Sequence, residues 1–406
     1  MPAAAPPGGL EADFAAAMAG LGPFGASPLL AAGVSGGPHS LALAVLAAGW
    51  AAGRGGRVLA LVADHGLRAE SAAEATGVAA RLSRIGIEAR VLPLGLLPGS
   101  GLHERARVAR LAALAGAAEA AGAPWLLLGQ HRADQAETLV FRALRGSGVA
   151  GLAGMAAARP AGGVMILRPL LGVAPSAIER FLAARGLVPV RDPSNDDPRF
   201  ARARLRRSLG DPGGEGPGVA ALVEAAGAFG ARRARLRAAV AERLAACAGF
   251  RPEGWAVLDG PALGRDPVAE AALSVLVQAL GGGAHPPARA AVAAMLARGG
   301  GSLGGAFWRG RFIGREPGRC APRVAAAPGK VWDGRWRVVE APEAASVGAA
   351  GPGFARGGAG AARPGLPGFV VAGLPVLWDA AGQVVAGPGP GPGWRVEFRP
   401  ESGPIA

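Results

Sequence analysis

The sequence has no tyrosine, one asparagine (Asn195) and one lysine (Lys330), so all but one of its 43 basic residues are arginine. Joint depletion of these three residue types points to GC-rich coding, and the abundant alanine, glycine, proline and arginine carry less structural meaning for it. Cysteine is also scarce. Cys247 and Cys320 lie far apart without a CxxC pair, which excludes a disulfide framework, a zinc ribbon and a cysteine-held iron–sulfur cluster. No apolar run reaches the ~18 residues of a membrane span. The best one, after Ser40, is broken by Gly49, Gly53 and Arg54. No basic residue precedes Arg54, so the chain does not open like a charged targeting segment. These absences predict a cytoplasmic protein with no membrane partner.

What is present sets the scale. The 406 residues are 50% hydrophobic, enough for two or three domains, despite 68 glycines and 35 prolines. The net charge of +14 attracts polyanions, because phosphate contacts release bound counterions. Nucleic acid and a merely solvated arginine-rich surface are equal readings of the charge taken alone.

Apolar runs alternate with helical patterns through the first two hundred residues. Strands are expected at 29–34, 57–63, 88–94, 125–129 and 164–167, and helices at 40–52, 70–85, 102–121 and 132–144. This alternation indicates an α/β fold with a doubly wound parallel sheet. A Gly/Pro-rich stretch at 211–218 then leads into a long helix at 219–248, with shorter helices near 268–280 and 287–297. Past 299 come short Trp- and Val-bearing runs, 330–339 and 374–378, separated by a linker-like segment at 345–368. The expected domains are therefore 1–210, a small helical region at 211–299, and a small β-rich domain at 300–406.

The first strand runs into Ser35-Gly36-Gly37-Pro38-His39-Ser40 and then a helix. Glycines at such a turn let backbone amides approach an anion, and the helix N-terminus adds free N–H groups and a positive dipole end. Ser35 and Ser40 add hydroxyl donors. An ordinary βα turn with Ser40 as N-cap is the competing reading. A Walker A loop is excluded because it needs Gly-Lys-Ser/Thr, and a Rossmann fingerprint because GxGxxG is not present here.

The loop resembles the SGGxDS phosphate loop of the ATP pyrophosphatases (the PP-loop superfamily), with His39 where the family has an aspartate that helps hold magnesium. Three further segments extend the resemblance: Asp64-His65-Gly66-Leu67-Arg68; Gly129-Gln130-His131-Arg132-Ala133-Asp134-Gln135-Ala136-Glu137-Thr138; and Asp192-Pro193-Ser194-Asn195 followed by Arg199, Arg202, Arg204, Arg206 and Arg207. Together these are similar to the tRNA(Ile)-lysidine synthetase family, whose motifs read DHGLR, GHHxxDQAET and DPSN followed by spaced arginines. Val331-Trp332-Asp333-Gly334-Arg335 and Leu377-Trp378-Asp379 extend the likeness to the C-terminal region. Gln130 and Ala133 depart from the family's His and Asp.

The resemblance implies an ATP-dependent ligase that adenylates C2 of the wobble cytidine in an isoleucine tRNA with a CAU anticodon and joins lysine to it. ATP and magnesium are the implied cofactors, and tRNA, free lysine and a second copy of the chain are the implied partners. The residues at 35–40 (Ser35, Gly36, Gly37, Pro38, His39 and Ser40) would bind ATP. Asp64, His65, Arg107 and Arg202 would be catalytic. Asp134 and Glu137 would hold lysine, and Arg199, Arg204, Arg206 and Arg207 the tRNA. The metal ligands stay open. Read from the residues alone, Asp134 and Glu137 are acids one turn apart that suit an ammonium group, a metal, or simply a helix N-terminus. The arginine ladder suits phosphates or a solvated helix face. Arg107 and Arg110 are a family pair or plain surface charge. His103 and His285 carry no assignment, and Cys247 belongs to a core helix. Two rival functions remain: a tRNA sulfur transferase, which two isolated cysteines disfavour, and a non-catalytic RNA-binding descendant, which His39, Gln130 and Ala133 favour.

Overall fold

A computed structural model describes residues 9–64, 66, 71–95, 102–190, 201–356, 365–387, 391 and 393–400, with backbone alone at 102–104, 150, 201–202 and 355–356. His65, Arg199 and the 192–195 segment lie outside the described residues, as do the side chains of Arg202 and His103. The chain divides into two compact units, 1–233 and 234–406.

In chain order the first unit contains α1 (Leu10–Leu21), β1 (Leu29–Gly33), α2 (Pro38–Ala52), β2 (Arg57–Asp64), α3 (Ser71–Arg84), β3 (Glu88–Pro93) and α4 (Leu102–Ala120). It continues through β4 (Trp125–Leu127), α5 (Arg132–Leu144), α6 (Val149–Leu152), β5 (Ala158–Ala161), β6 (Val164–Leu167), α7 (Pro175–Ala184) and α8 (Ala201–Leu209). The six strands form one sheet in the order β3-β2-β1-β4-β6-β5. All neighbours are parallel except the edge strand β5.

Both faces are covered, as the near-continuous apolar strands predict. Leu30, Ala32, Val58, Ala60 and Val62 join the core beneath α1, α2, α3 and α7. Their alternates Ala31, Leu59 and Leu61 join the opposite core with Leu114 and Ala118 of α4. This is the two-residue period of a strand buried on both sides. The chain builds outward from β1 through β2 to β3, then crosses to β4 on the other side of β1. That reversal opens a crevice at the carboxyl ends of β1 and β4, where open α/β sheets hold ligands.

The helix α9 (Pro217–Cys247) contains the division between the units. The second unit opens with β7 (Ala248–Arg251), β8 (Trp255–Leu258), α10 (Gly260–Leu263), α11 (Pro267–Gly281), α12 (Arg289–Arg298), β9 (Gly301–Leu303), β10 (Ala306–Arg309) and β11 (Phe312–Arg315). Here the structure departs from the limits read in the sequence. The strands form one sheet, β7-β8-β11-β10-β9, and Leu244, Leu273, Leu276 and Met295 share a single core with Trp308 and Ile313. The helices expected at 211–299 and the strands expected after 300 thus bury one another's apolar faces, and a boundary at 299 would cut through that core.

Two smaller antiparallel sheets follow. Strand Ser346–Ala349 lies inside the segment expected to be a linker and pairs with Pro375–Trp378. Its Ser-Val-Gly-Ala sequence carries little strand signal by itself; long-range pairing supplies the stabilisation. The WDGR motif has a structural task. Asp333, in left-handed backbone at φ 54°, accepts from Arg315 Nη2 at 2.6 Å, Arg335 Nη2 at 2.5 Å and the Ala321 N–H at 2.9 Å. Asp333 and Arg335 are almost wholly buried, so the carboxylate compensates charge that burial alone would make costly.

Candidate active site

The turn after β1 is closed upon itself. Gly36 adopts φ +81°, which a side chain rarely tolerates, and an added Cβ there would lie 2.5 Å from Val78 Cγ2. Gly37 caps α2 with Pro38 at the first helical position, a residue whose missing N–H costs nothing there. Ser40 is therefore inside the first turn and is not the N-cap. Its hydroxyl accepts from the Ser35 N–H at 3.1 Å and donates to the Gly37 carbonyl at 3.1 Å, with the Ser35 hydroxyl 3.2 Å away. The result is a compact loop with the amino end of α2 opening above the β1/β4 crevice.

The segment after β4 meets this loop. A Cβ on Gly129 would come within 3.0 Å of the His39 carbonyl oxygen, so glycine allows the two backbones to touch. The rings of His39 and His131 lie 3.9 Å apart, centroid to centroid. Burial pushes the His39 pKa down to about 4, helped by His131, and burial with Arg206 nearby does the same to His131. Both imidazoles are neutral at pH 7 and add no positive charge to the site.

A stability consequence follows from the sign of these shifts. Below the ordinary value of 6.5 the unfolded chain takes up protons that the folded chain refuses until about pH 4. Stability is expected to fall as pH drops across that window and to level off beneath it. Urea midpoints measured between pH 7.5 and 4 should decline less steeply for His39→Gln than for the parent, and identical slopes would contradict buried neutral imidazoles.

His131 is also the N-cap of α5, and Asp134 is its capping acid. The carboxylate accepts the His131 N–H at 3.1 Å and lies 3.3 Å from His131 Nε2. One turn on, Glu137 is 2% exposed and accepts from Arg206 Nε at 2.8 Å. The sequence assigns these two residues to different substrates; the fold pairs them, because α8 packs against α5. Gln135 points elsewhere. Its amide accepts from the Met155 N–H at 2.7 Å and donates to the Met155 carbonyl at 3.0 Å, fastening the loop after α6.

At the end of β2, Asp64 accepts from the Gly66 N–H at 2.9 Å and from the Ser71 hydroxyl. Arg107 and Arg110 lie exposed on α4, one turn apart, and Arg204 and Arg207 are exposed on α8. The structure thus brings Ser35–Ser40, Gln130, His131, Asp134, Glu137 and Arg206 together. One residue escaped the sequence reading altogether: Arg168, buried directly after β6. A lone arginine at the carboxyl end of an apolar strand was the available signal. Cys247 and Cys320 both belong to the second unit, and burial raises both thiol pKa values, which disfavours the reactive thiolate. His285 is exposed. Among the described residues no helix is long and apolar enough to cross a membrane.

A PP-loop domain model matches residues 13–212. The tRNA(Ile)-lysidine synthase of Ruegeria pomeroyi is 36% identical across 94% of this chain and 93% of its own length. That of a Methylobacterium species is 42% identical over 67% of this chain and 76% of the relative. That of a Bradyrhizobium species is 46% identical over 45% of this chain, and there the match spans about half of the relative, 52%. Among solved structures, the U34-tRNA thiolase NcsA from Methanococcus maripaludis is similar with a TM-score of 0.45 at 16% identity, covering 56% of this chain and 78% of that one.

Proposed function

Since the chain belongs to the tRNA(Ile)-lysidine synthase family, we propose that it is an ATP-dependent ligase that converts the wobble cytidine of an isoleucine tRNA with a CAU anticodon to lysidine. The cytidine is adenylated at C2 with loss of pyrophosphate. The side-chain amine of free lysine then attacks C2 and AMP leaves. What supports this reading most is the meeting, at one sheet edge, of the closed Ser35–Ser40 loop with the acids at the start of α5.

The chain's own groups divide the work. Backbone amides of the loop and the amino end of α2 receive the pyrophosphate, and being already in place they cost no reorganisation when charge develops. Asp134 and Glu137 face the lysine ammonium, and the neutral His39 and His131 leave their attraction undiminished. Arg204 and Arg207 on α8, with Arg107 on α4, supply cations for the tRNA backbone and the triphosphate.

Magnesium prefers oxygen ligands and is often held through one or two carboxylates plus substrate phosphates. Asp64 and Asp134 are carboxylates at this edge, oxygen donors of the kind magnesium takes. His39 offers a nitrogen that suits magnesium poorly. The residues therefore fit an ion carried chiefly by ATP, with Asp64 as the protein ligand and Asp134 left to the lysine ammonium. Bound there, it would offset the triphosphate charge. A cytoplasmic setting and a homodimer complete the proposal.

Purified protein with ATP, labelled lysine and the cognate transcript should yield labelled tRNA and AMP. No incorporation across a range of magnesium, with tRNA binding intact, would favour an RNA-binding descendant instead. Affinity for tRNA should fall linearly with salt on logarithmic axes, by about 0.7–0.9 in slope per phosphate contact. A flat response would assign the +14 charge to codon bias.

A further inference from the structure

The Gly/Pro-rich stretch at 211–218 has no part in the steps above, yet it is closely tied down. Gly210, at φ +62°, ends α8. The Asp211 carboxylate then accepts three successive N–H groups, from Gly214 at 2.9 Å, Glu215 at 3.3 Å and Gly216 at 2.8 Å. An aspartate so placed closes its own turn. The turn is fastened to α7: the Ser176 N–H donates to the Gly213 carbonyl at 3.3 Å, and Glu215 accepts from the Ser176 hydroxyl and from Arg180 Nη2 at 3.0 Å. It also rests on α5. Gly214 is buried at φ +67°, and an added Cβ there would lie 2.7 Å from Pro175 Cδ and 3.7 Å from Ala133 Cβ. The Arg132 N–H in turn donates to the Val173 carbonyl at 2.9 Å, just ahead of α7. One turn thus joins the end of α8 to the starts of α5 and α7. Ala133, 7% exposed, is its apolar seat, where the family's aspartate would be a carboxylate buried against backbone.

We propose that Asp211 is a positioning residue for the lysine site: the turn it closes fixes the carboxyl end of α8 against α5 and α7, so that Arg206 meets Glu137. The inference rests on the ligase reading above. Arg206 precedes Gly210 by about one helical turn, so a shift at the end of α8 is carried to it. The pair tolerates little movement. Glu137 is 2% exposed and accepts from Arg206 Nε at 2.8 Å, and a displacement of ~1 Å takes such a contact past hydrogen-bond length. Arg204 and Arg207 are exposed, and long side chains facing solvent still reach a phosphate across a small displacement by charge alone. Lysine binding should therefore suffer before ATP or tRNA binding does. Asp211 acts through α8 and not on the reacting atoms.

The test measures KM for lysine and for ATP in the parent, Asp211→Ala, Asp211→Asn, Gly214→Ala, Gly213→Ala, Arg206→Gln and the double variant Asp211→Ala/Arg206→Gln. Asp211→Ala should raise the lysine KM by about tenfold, the effect of one charge-assisted contact, and move the ATP KM far less. Asp211→Asn keeps one acceptor oxygen and should lie between. Gly214→Ala should match Asp211→Ala. Gly213→Ala should match the parent, since its Cβ would meet only Ser176 Cβ at 3.7 Å and Asp211 Oδ1 at 3.9 Å. The double variant should be no worse than Arg206→Gln alone, because both changes remove the same contact. Effects that multiply in the double variant, equal rises for lysine and ATP, or an unchanged lysine KM in a folded Asp211→Ala would each overturn the proposal. Hydrogen exchange gives a reading independent of catalysis. Amides at 201–209 should exchange faster in Asp211→Ala while those of β1 and β2 do not; an unaltered 201–209 would confine Asp211 to its own turn and also overturn the proposal. A parent that joins no lysine refutes the ligase reading, and exchange at 201–209 then still decides whether the turn holds α8. Circular dichroism and melting identify misfolding, and Asp211→Asn with Gly214→Ala carries the test if Asp211→Ala does not fold.

Discussion

Gly36→Ala is expected to reduce ATP-dependent AMP formation by at least about 100-fold, the scale on which misaimed donors at a developing anionic charge cost an enzyme. The cause is local. At φ +81° an alanine costs about 1–2 kcal/mol in backbone energy, and its Cβ would fall 2.5 Å from Val78 Cγ2. Val78 belongs to the core under α3 and cannot yield freely, so the turn itself must shift and carry its amides off line. Gly37 is the informative partner. A Cβ there would meet only Ser35 Oγ at 3.6 Å and the Val190 carbonyl at 4.0 Å. Gly37→Ala should therefore fold normally and lose activity only through crowding of the phosphate. Single-turnover AMP release beside thermal melts separates the two effects. Unaltered AMP formation in Gly36→Ala would remove the phosphate-loop assignment.

Arg206→Gln is expected to raise the lysine requirement by about 10- to 100-fold, the value of one charge-assisted hydrogen bond, while leaving the salt dependence of tRNA binding as it was. Arg206 holds the Glu137 carboxylate at 2.8 Å, and Glu137 is 2% exposed. Weakening that contact lets the acid turn away or take up a proton, and either change spoils an ammonium site. Arg207, exposed one position on, should behave in the opposite manner. Arg207→Gln should lower the logarithmic salt slope of tRNA binding by about 0.7–0.9 and spare the lysine requirement. Filter binding across salt and lysine titrations at saturating tRNA supply both readings. If Arg206→Gln flattened the salt slope and left lysine untouched, the pair with Glu137 would be incidental and Arg206 would rejoin the tRNA contacts.

The contrast between these two arginines marks where sequence reading stops. Their neighbourhood in the chain puts both in one ladder of positive charge with one presumed task. A helix turns about 100° per residue, so one of the two reaches the acid on α5 while the other stays outside. Which is which depends on how α8 lies against α5, and no local pattern encodes that. Asp134 tells a similar story. Its place near a helix start was legible, but its tie to His131 depended on where α5 begins.

What the sequence determined by itself is the α/β alternation, the strand-to-turn-to-helix setting of Ser35–Ser40, the family likeness and the carboxyl-edge position of the motifs. These are properties of short segments, carried by apolar periodicity, turn residues and contiguous spelling. Tertiary structure alone decided the rest. It set the order β3-β2-β1-β4-β6-β5, and with it the crevice between β1 and β4. It merged the expected helical region and the strands at 301–315 into one core, turned Ser346–Ala349 from linker into strand, and gave Glu137 to Arg206. It also buried Arg168 beside Gln130, with no acid paired to it among the described residues. Each of these depends on contacts between residues distant in sequence, whose energies are settled by which faces pack together and are not written in either segment alone.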